Sequence, residues 1–166
     1  LLIILEVLFN FKSYRIIPVL YILISLIFFL FIDFEKLNFL QFNLFICTVI
    51  FFDIFSYIIG KSFGKIKLTK ISPNKTCEGL LGGALFALTL SLLIAYLSNI
   101  TVNINLLYFI LLNILFAFIG DILESYFKRK NELKNSSELI PGHGGVFDRF
   151  DSFLFSIIFY SISFNI

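Results

Sequence analysis

Residues 106–123 read LLYFILLNILFAFIGDIL, an apolar run whose single charged side chain, Asp121, lies near its end. A helix of roughly 20 such residues is long enough to cross a lipid bilayer. Further runs of the same kind lie at 16–32, 40–59, 79–97 and 150–166. Hydrophobic residues make up 59% of the chain. We therefore predict an all-α fold, a polytopic transmembrane helical bundle of about five spans.

The opening residues, LLIILEVLF at 1–9, are apolar but too few for a complete span. No basic segment precedes them and no small-residue cleavage site follows, which argues against a secretory signal peptide. We interpret them as a truncated N-terminal stub. On this interpretation, 1–166 is a single transmembrane domain and the C-terminal fragment of a longer protein.

The distribution of basic residues predicts how the spans are oriented. All of the Lys and Arg residues except Lys36 lie in three alternate connections between the apolar runs. Cytoplasmic loops carry an excess of Lys and Arg, so we expect these connections on the cytoplasmic side. Two of them, 60–78 and 124–149, are long and rich in polar residues.

Four aspartates lie at the predicted cytoplasmic ends of three different spans. Asp53 lies near the end of the second span, Asp121 lies near the end of the fourth, and Asp148 and Asp151 lie where the last span starts. A carboxylate inside a membrane costs about 2.5–3.5 kcal/mol on insertion scales, so such residues usually have a partner or a task. Oxygen ligands of this kind suit Mg²⁺.

We therefore predict that Asp121, Asp148 and Asp151 bind a divalent metal, Mg²⁺, with Asp53 as a further candidate and a second cation left open. Asp148 and Asp151 are three residues apart and share one face of a helix. The alternative is structural: Asp148 pairs with Arg149 or a nearby lysine, and Asp151 caps the last helix.

The polar stretch 125–152 reads SYFKRKNELKNSSELIPGHGGVFDRFDS. Its glycine-rich turn at 141–145 offers backbone N–H groups that bind anions, or it is a plain turn between helices. His143 is the only histidine, which argues against a multi-histidine zinc site. Lys128 and Arg129 follow Asp121 closely enough to reach the same pocket, or they only anchor the helix at the membrane surface.

The loop 60–78 reads GKSFGKIKLTKISPNKTCE and contains no Walker phosphate-binding sequence. It offers the hydroxyls of Ser72 and Thr76, the Lys75 ammonium and the Glu78 carboxylate. The alternative is that its lysines simply contact anionic lipid headgroups. Gly79 and Gly83, four residues apart in the next span, are expected to allow close helix packing.

Together these segments resemble the phosphatidate cytidylyltransferases, also called CDP-diacylglycerol synthases. That family's pattern S-x-x-K-R, followed by P-G-H-G-G-x-x-D-R-x-D, is matched by residues 125–129 and 141–151, and its pattern S-P-K-K-T-x-E-G-x-x-G-G is matched by residues 72–83. The resemblance covers about residues 53–152. The chain departs from the family at Asn135, where an aspartate is usual, at Lys61, where arginine is usual, and at Asn74, where lysine is usual.

The resemblance implies a nucleotidyltransferase of phospholipid biosynthesis that transfers a cytidylyl group from CTP to phosphatidic acid. The implied catalytic residues are Lys128, Arg129, His143 and Lys75. The implied substrate-binding residues are Ser72, Thr76, Glu78, Lys134, Gly142, Gly144, Gly145 and Arg149. The loops 60–78 and 124–149 would be catalytic, on the cytoplasmic face of a bacterial-type inner membrane. Expected partners are CTP, phosphatidic acid and membrane lipids, without nucleic acid, and a homodimer is left open.

Three other functions remain open from the sequence. A CTP-dependent kinase of polyprenol or phytol alcohols would use the same nucleotide. A membrane transporter would use the aspartates as a permeation site, although transporter sites usually lie at mid-depth and these acids lie at one face. A membrane anchor with a basic surface would explain the lysines but not the stretch 141–151.

Overall fold

The computed structural model describes residues 1–12, 14–33, 38–69, 71–72, 74–140 and 144–164. These ranges hold six α-helices: α1 (Leu2–Asn10), α2 (Ile16–Leu30), α3 (Phe39–Phe63), α4 (Cys77–Leu97), α5 (Ile104–Lys130) and α6 (Phe147–Phe164). The described residues form no β-strand beyond isolated antiparallel bridges, which pair Lys67 with Thr76 and Ile140 with Gly144. The predicted all-α fold is confirmed.

Three of the described helices, α3, α4 and α5, are long and apolar enough to cross a membrane. Helix α2 is apolar but only 15 residues long. Helix α6 carries Asp148, Arg149 and Asp151 in its first turns, which shortens its apolar part. The predicted runs all lie in helices, which confirms a polytopic helical membrane protein. Of the about five spans predicted, three meet the length of a full span within the described residues.

The chain divides into two compact units, described separately below. The first unit comprises Leu1–Ile32 and Phe118–Ile166, and the second comprises Asp33–Ala117. Helix α5 contributes its first half to the second unit and its remainder to the first. The carboxylates Asp121, Asp148 and Asp151 belong to the first unit, whereas Asp53 and the loop 60–78 belong to the second.

In the second unit, α3 packs against α4 along a face of small residues. Every fourth residue of α4 is small and buried, in the order Gly79, Gly83, Ala87, Ser91 and Ala95. A Cβ at Gly83 would lie 2.7 Å from Ser56 Cβ, so only glycine allows this approach. Small residues at this spacing let helix backbones pack closely in membranes. The structural role expected for Gly79 and Gly83 is confirmed.

Buried hydrogen bonds join the spans of the second unit. Thr48 donates to the Leu44 carbonyl at 2.7 Å, and its hydroxyl lies 2.8 Å from that of Ser91. Asn113 Nδ2 donates to the Phe45 carbonyl at 3.1 Å. Polar side chains inside a bilayer are stabilised by such bonds, which also hold neighbouring helices together.

The first unit has an aromatic core between α1, α2, α6 and the end of α5. The Tyr21 ring lies 5.8 Å from that of Phe127 and 6.2 Å from that of Phe155. Phe11, directly after α1, contacts Phe147 edge-on at 6.3 Å. Phe147 is the first residue of α6 and is fully buried. This core therefore fixes the start of α6, the region that carries Asp148 and Asp151.

Candidate active site

Three carboxylates converge where α5 lies against α6 in the first unit. Asp121 and Glu124 come from α5 and Asp151 comes from α6, and each offers an oxygen within 4.8 Å of the other two. A spacing of three residues places Asp121 and Glu124 on one face of α5. We call these three residues the carboxylate cluster. An all-oxygen donor set of this kind is suited to Mg²⁺ or Ca²⁺.

Gly120 permits the close approach of the two helices at the cluster. A Cβ at this position would lie 2.6 Å from the Asp151 carbonyl oxygen and 2.9 Å from Phe155 Cβ. Because the first of these atoms is backbone, it cannot rotate away. The Gly120-Asp121 pair thus brings α5 close to α6 and places the first carboxylate at the contact.

Glu124 is the most buried member of the cluster. Its side chain is 0% exposed, and its Oε2 atom lies 2.7 Å from Lys128 Nζ. Its Oε1 atom makes no hydrogen bond to any described residue. A buried charge without enough partners is costly, whereas a bound cation would complete its coordination. The residues present therefore fit a divalent metal ion.

Lys128 connects the cluster to Asp148. Its Nζ atom lies 2.9 Å from Asp148 Oδ1 as well as 2.7 Å from Glu124, and its side chain is 14% exposed. A single ammonium is thus shared by two carboxylates of different helices. In this arrangement Lys128 partly balances the negative charge that the cluster concentrates.

Asp148 is held by the loop that precedes α6. Its carboxylate accepts from the backbone N–H of Ser136 at 3.0 Å and from that of Gly145 at 2.8 Å. Burial acts to raise the pKa of Asp148, but the hydrogen bonds that its carboxylate accepts outweigh burial and hold that pKa below its ordinary value. Asp148 is not a member of the carboxylate cluster, and its assignment as a metal ligand stays a prediction.

The glycine-rich turn is described only in part. Gly144 has a φ of 86°, in the left-handed region that favours glycine, and it pairs with Ile140 in an antiparallel bridge. Gly145 is buried and its N–H already donates to Asp148. Gly142 and His143 lie outside the described residues, so their predicted roles are untested.

The other predicted cations of the first unit lie at the surface. Arg129, Lys134 and Arg149 are all exposed. Arg129 donates to the Leu133 carbonyl at 2.9 Å, which closes the end of α5. Contact of these three exposed cations with a phosphorylated substrate stays a prediction.

The predicted residues of the loop 60–78 have structural contacts in the second unit. Thr76 caps α4, its hydroxyl accepting from the Gly79 N–H at 3.1 Å. Both oxygens of Glu78 accept from the Ile66 N–H at 3.2 Å. Lys75 is half-buried, and its backbone N–H donates to the Ser72 carbonyl at 3.1 Å. Asp53 is half-buried in α3. Substrate or metal binding by these residues stays a prediction.

The chain matches the model of the cytidylyltransferase family over residues 4–166. It belongs to that family. The phosphatidate cytidylyltransferase of Bacillus subtilis (strain 168) is 40% identical over 158 residues, which are 91% of this chain and 58% of that protein. The phosphatidate cytidylyltransferase of Haemophilus influenzae is 44% identical over 64% of this chain and 39% of its own length. That of Rickettsia prowazekii is 37% identical over 91% of this chain and 70% of its own length.

The family resemblance predicted from residues 72–83 and 125–151 is thereby confirmed. With three helices able to span a bilayer, this cytidylyltransferase family member is an integral membrane protein. The chain spans 58% of the Bacillus subtilis relative and 39% of the Haemophilus influenzae relative.

Two acidic residues of the first unit, one in the cluster and one next to the loop before α6, were not predicted from the sequence. Glu124 lies three residues after Asp121, the same spacing that led to the pairing of Asp148 with Asp151, so the signal was present. Glu6 is the only charged residue of α1. A carboxylate within an apolar segment is itself a sign of a function or a buried partner.

Proposed function

We propose that this chain carries the catalytic part of an enzyme that transfers the cytidylyl group of CTP to phosphatidic acid, releasing pyrophosphate and CDP-diacylglycerol. Membership of the cytidylyltransferase family and the names of its relatives support this reaction. The observation that carries it is the convergence of Asp121, Glu124 and Asp151 near one point, with Glu124 fully buried among them.

Asp121, Glu124 and Asp151 would hold Mg²⁺, with Asp148 and Asp53 as further candidate ligands from the sequence. When bound, Mg²⁺ would neutralise and align the triphosphate of CTP. The cluster lies near the end of α5, as expected for a site that meets a water-soluble nucleotide at the membrane surface.

The reaction requires two anionic partners to meet. A phosphate oxygen of phosphatidic acid would form a bond to the α-phosphorus of CTP. The bond from that phosphorus to the bridging oxygen of the β-phosphate would break, and the electron pair would leave with pyrophosphate. Neutralising and aligning these phosphates is the main task of the protein.

The basic residues would have different roles in neutralising the phosphates, depending on whether they are buried or exposed. Lys128 lies between Glu124 and Asp148 and would hold the cluster in place as charge builds up at the phosphates. Arg129, Lys134 and Arg149 are exposed and would contact the substrate phosphates, as would Lys75. Ser72, Thr76 and Glu78 would support the binding loop around Lys75.

The orientation in the membrane follows from the basic connections. Because Lys and Arg concentrate at 60–78 and 124–149, these loops and the cluster would lie on the cytoplasmic side of a bacterial-type inner membrane. CTP would enter from the cytoplasm. Phosphatidic acid would enter laterally, its headgroup at the interface and its acyl chains among the exposed apolar side chains of the spans.

Labelled CTP tests this function. The complete protein in liposomes that contain phosphatidic acid is incubated with Mg²⁺ and CTP labelled at either the α- or the γ-phosphate. Cytidylyl transfer predicts α-label in the lipid and γ-label in pyrophosphate. Label from the γ-phosphate in lipid would instead indicate a lipid kinase, and ion flux without CTP would indicate a transporter. The Asp121→Asn variant is the control for a contaminating activity.

A further inference from the structure

A buried carboxylate outside the cluster, that of Glu6, is bound by the loop that precedes α6 and by the first residue of that helix. Glu6 lies on α1 and is 3% exposed. Its Oε2 atom accepts from the Val146 N–H at 2.9 Å and from the Phe147 N–H at 3.2 Å. Its Oε1 atom accepts from the Ser136 hydroxyl. A carboxylate with several such donors is stable inside a protein because hydrogen bonds replace its hydration.

These three donors lie at the two ends of one loop. Ser136 precedes the glycine-rich turn, and Val146 and Phe147 follow it. Asp148 binds the same two ends through the N–H groups of Ser136 and Gly145. One carboxylate from α1 and one from α6 therefore close the base of the loop together.

The packing at Gly145 shows how closely the loop fits around Glu6. A Cβ at Gly145 would collide with Glu6 Oε1 and with the Ser136 hydroxyl. Next to it, Phe147 is fully buried against Phe11, directly after α1. The backbone from Gly145 to Phe147 is thus fixed by α1 through both hydrogen bonds and aromatic packing.

We propose that Glu6 is a positioning residue for the candidate active site. By accepting from Val146 and Phe147, it fixes the first turn of α6 and so determines where Asp148 meets Lys128 and where Asp151 joins the cluster. The consequence for turnover rests on the proposed function, whereas the anchoring of the loop does not. Hydrogen bonds that orient ligands from outside a metal site commonly contribute about 10- to 100-fold to activity or metal affinity.

The two substitutions that separate position from charge are Glu6→Ala and Glu6→Gln, made in the complete protein. Alanine removes all three hydrogen bonds, and we expect kcat for cytidylyl transfer to fall about 10- to 100-fold with a smaller change in KM for CTP. Glutamine keeps an acceptor oxygen for Val146 and Phe147, and its amide can donate to the Ser136 hydroxyl. We therefore expect Glu6→Gln to restore most of kcat.

The matched control is Glu138→Gln, which removes an exposed carboxylate from the same loop and should leave kcat unchanged. If Glu6→Gln were as impaired as Glu6→Ala, the negative charge itself would be required, and the positioning role would be wrong. Full activity of Glu6→Ala would also overturn it.

Hydrogen–deuterium exchange tests the anchoring without any substrate. In Glu6→Ala, the amides of residues 144–148 should exchange faster than in the unmodified protein. In Glu6→Gln, the exchange rates of these amides should be close to those of the unmodified protein. Unchanged exchange in Glu6→Ala would overturn the proposal. If the unmodified protein fails to transfer a cytidylyl group, the proposed function is wrong, and the exchange result still decides whether Glu6 anchors the loop.

If the Glu6→Ala protein does not fold, a second variant tests the same anchoring. Ser136→Ala removes one of the three donors and leaves Glu6 in place. The proposal predicts faster exchange at residues 144–148, with a smaller increase than the loss of all three hydrogen bonds would cause. Exchange equal to that of the unmodified protein contradicts it.

Discussion

Lys128 Nζ lies 2.9 Å from Asp148 Oδ1 and joins the last turns of α5 to the first turn of α6. The same ammonium lies 2.7 Å from the buried Glu124. The lysine is therefore part of the internal structure of the site, in addition to any contact with substrate phosphate. Removing the lysine leaves the carboxylates of Glu124 and Asp148 without the cation that they share.

Lys128→Met should destabilise the protein strongly. Breaking a buried ion pair by removing one partner costs about 3–5 kcal/mol, because the remaining charge stays buried without compensation. We expect the free energy of unfolding, measured by SDS titration in mixed micelles, to fall by about 3 kcal/mol. The matched control is Lys130→Met, two residues later on α5. Lys130 is exposed and lies over the rings of Tyr14 and Tyr126, so its loss should cost only about 1 kcal/mol. Equal losses for the two variants would contradict this role of Lys128.

Asp121→Asn and Asp151→Asn should each abolish most Mg²⁺-dependent turnover. An amide keeps the size of the side chain but loses the charge that a divalent cation requires. We expect a loss of at least about 100-fold in kcat/KM, above the range for groups that only orient ligands. Cytidylyl transfer at saturating Mg²⁺ is the measurement. The exposed Glu138→Gln serves as the control, and normal turnover in either aspartate variant would exclude that residue from the site.

Glu124→Gln should weaken binding of the metal and leave the fold unchanged. The substitution keeps the buried volume but removes one negative charge from the cluster. We expect the Mg²⁺ concentration for half-maximal activity to rise about 10- to 100-fold. Glu132→Gln, an exposed position just after α5, is the comparison. An unchanged Mg²⁺ requirement in Glu124→Gln would show that this residue does not bind the metal.

Gly120→Ala should separate α5 from α6 at the cluster. The added Cβ would meet the Asp151 backbone oxygen at 2.6 Å, so one of the two helices must move. Overpacking of this kind costs about 1–3 kcal/mol of unfolding free energy. Leu115→Val, at an exposed position of α5, should change stability by less than about 0.5 kcal/mol. The same unfolding titration compares them, and a neutral Gly120→Ala would mean that the helices are not in close contact there.

The sequence was sufficient to predict the helices because hydrophobic runs report directly on burial in a bilayer. The runs at 40–59 and 79–97 became α3 and α4, and the residue pair Asp121 and Asp151 was correctly expected to converge. Element ends were less predictable. Helix α5 continues to Lys130 because its last turn is closed by local bonds, such as that of Arg129 to Leu133, which an apolar pattern does not reveal.

The partners of individual polar side chains could not be predicted, since they depend on packing between distant segments. Asp148 accepts from Ser136 and Gly145, and the carboxylate beside Asp121 is Glu124. Glu6 binds Val146, which is 140 residues away in the sequence. A pattern of residue types indicates that a carboxylate has a task, but only the fold shows which donors reach it.

Locating a metal ion tests the central claim most directly. The complete protein is crystallised with a non-hydrolysable CTP analogue and Mn²⁺ in place of Mg²⁺, and the ion is found from its anomalous scattering. We expect an ion bound by oxygens of Asp121, Glu124 and Asp151 at about 2.0–2.2 Å, next to the triphosphate. An ion bound elsewhere, or a nucleotide bound with no ion at these three residues, would contradict it.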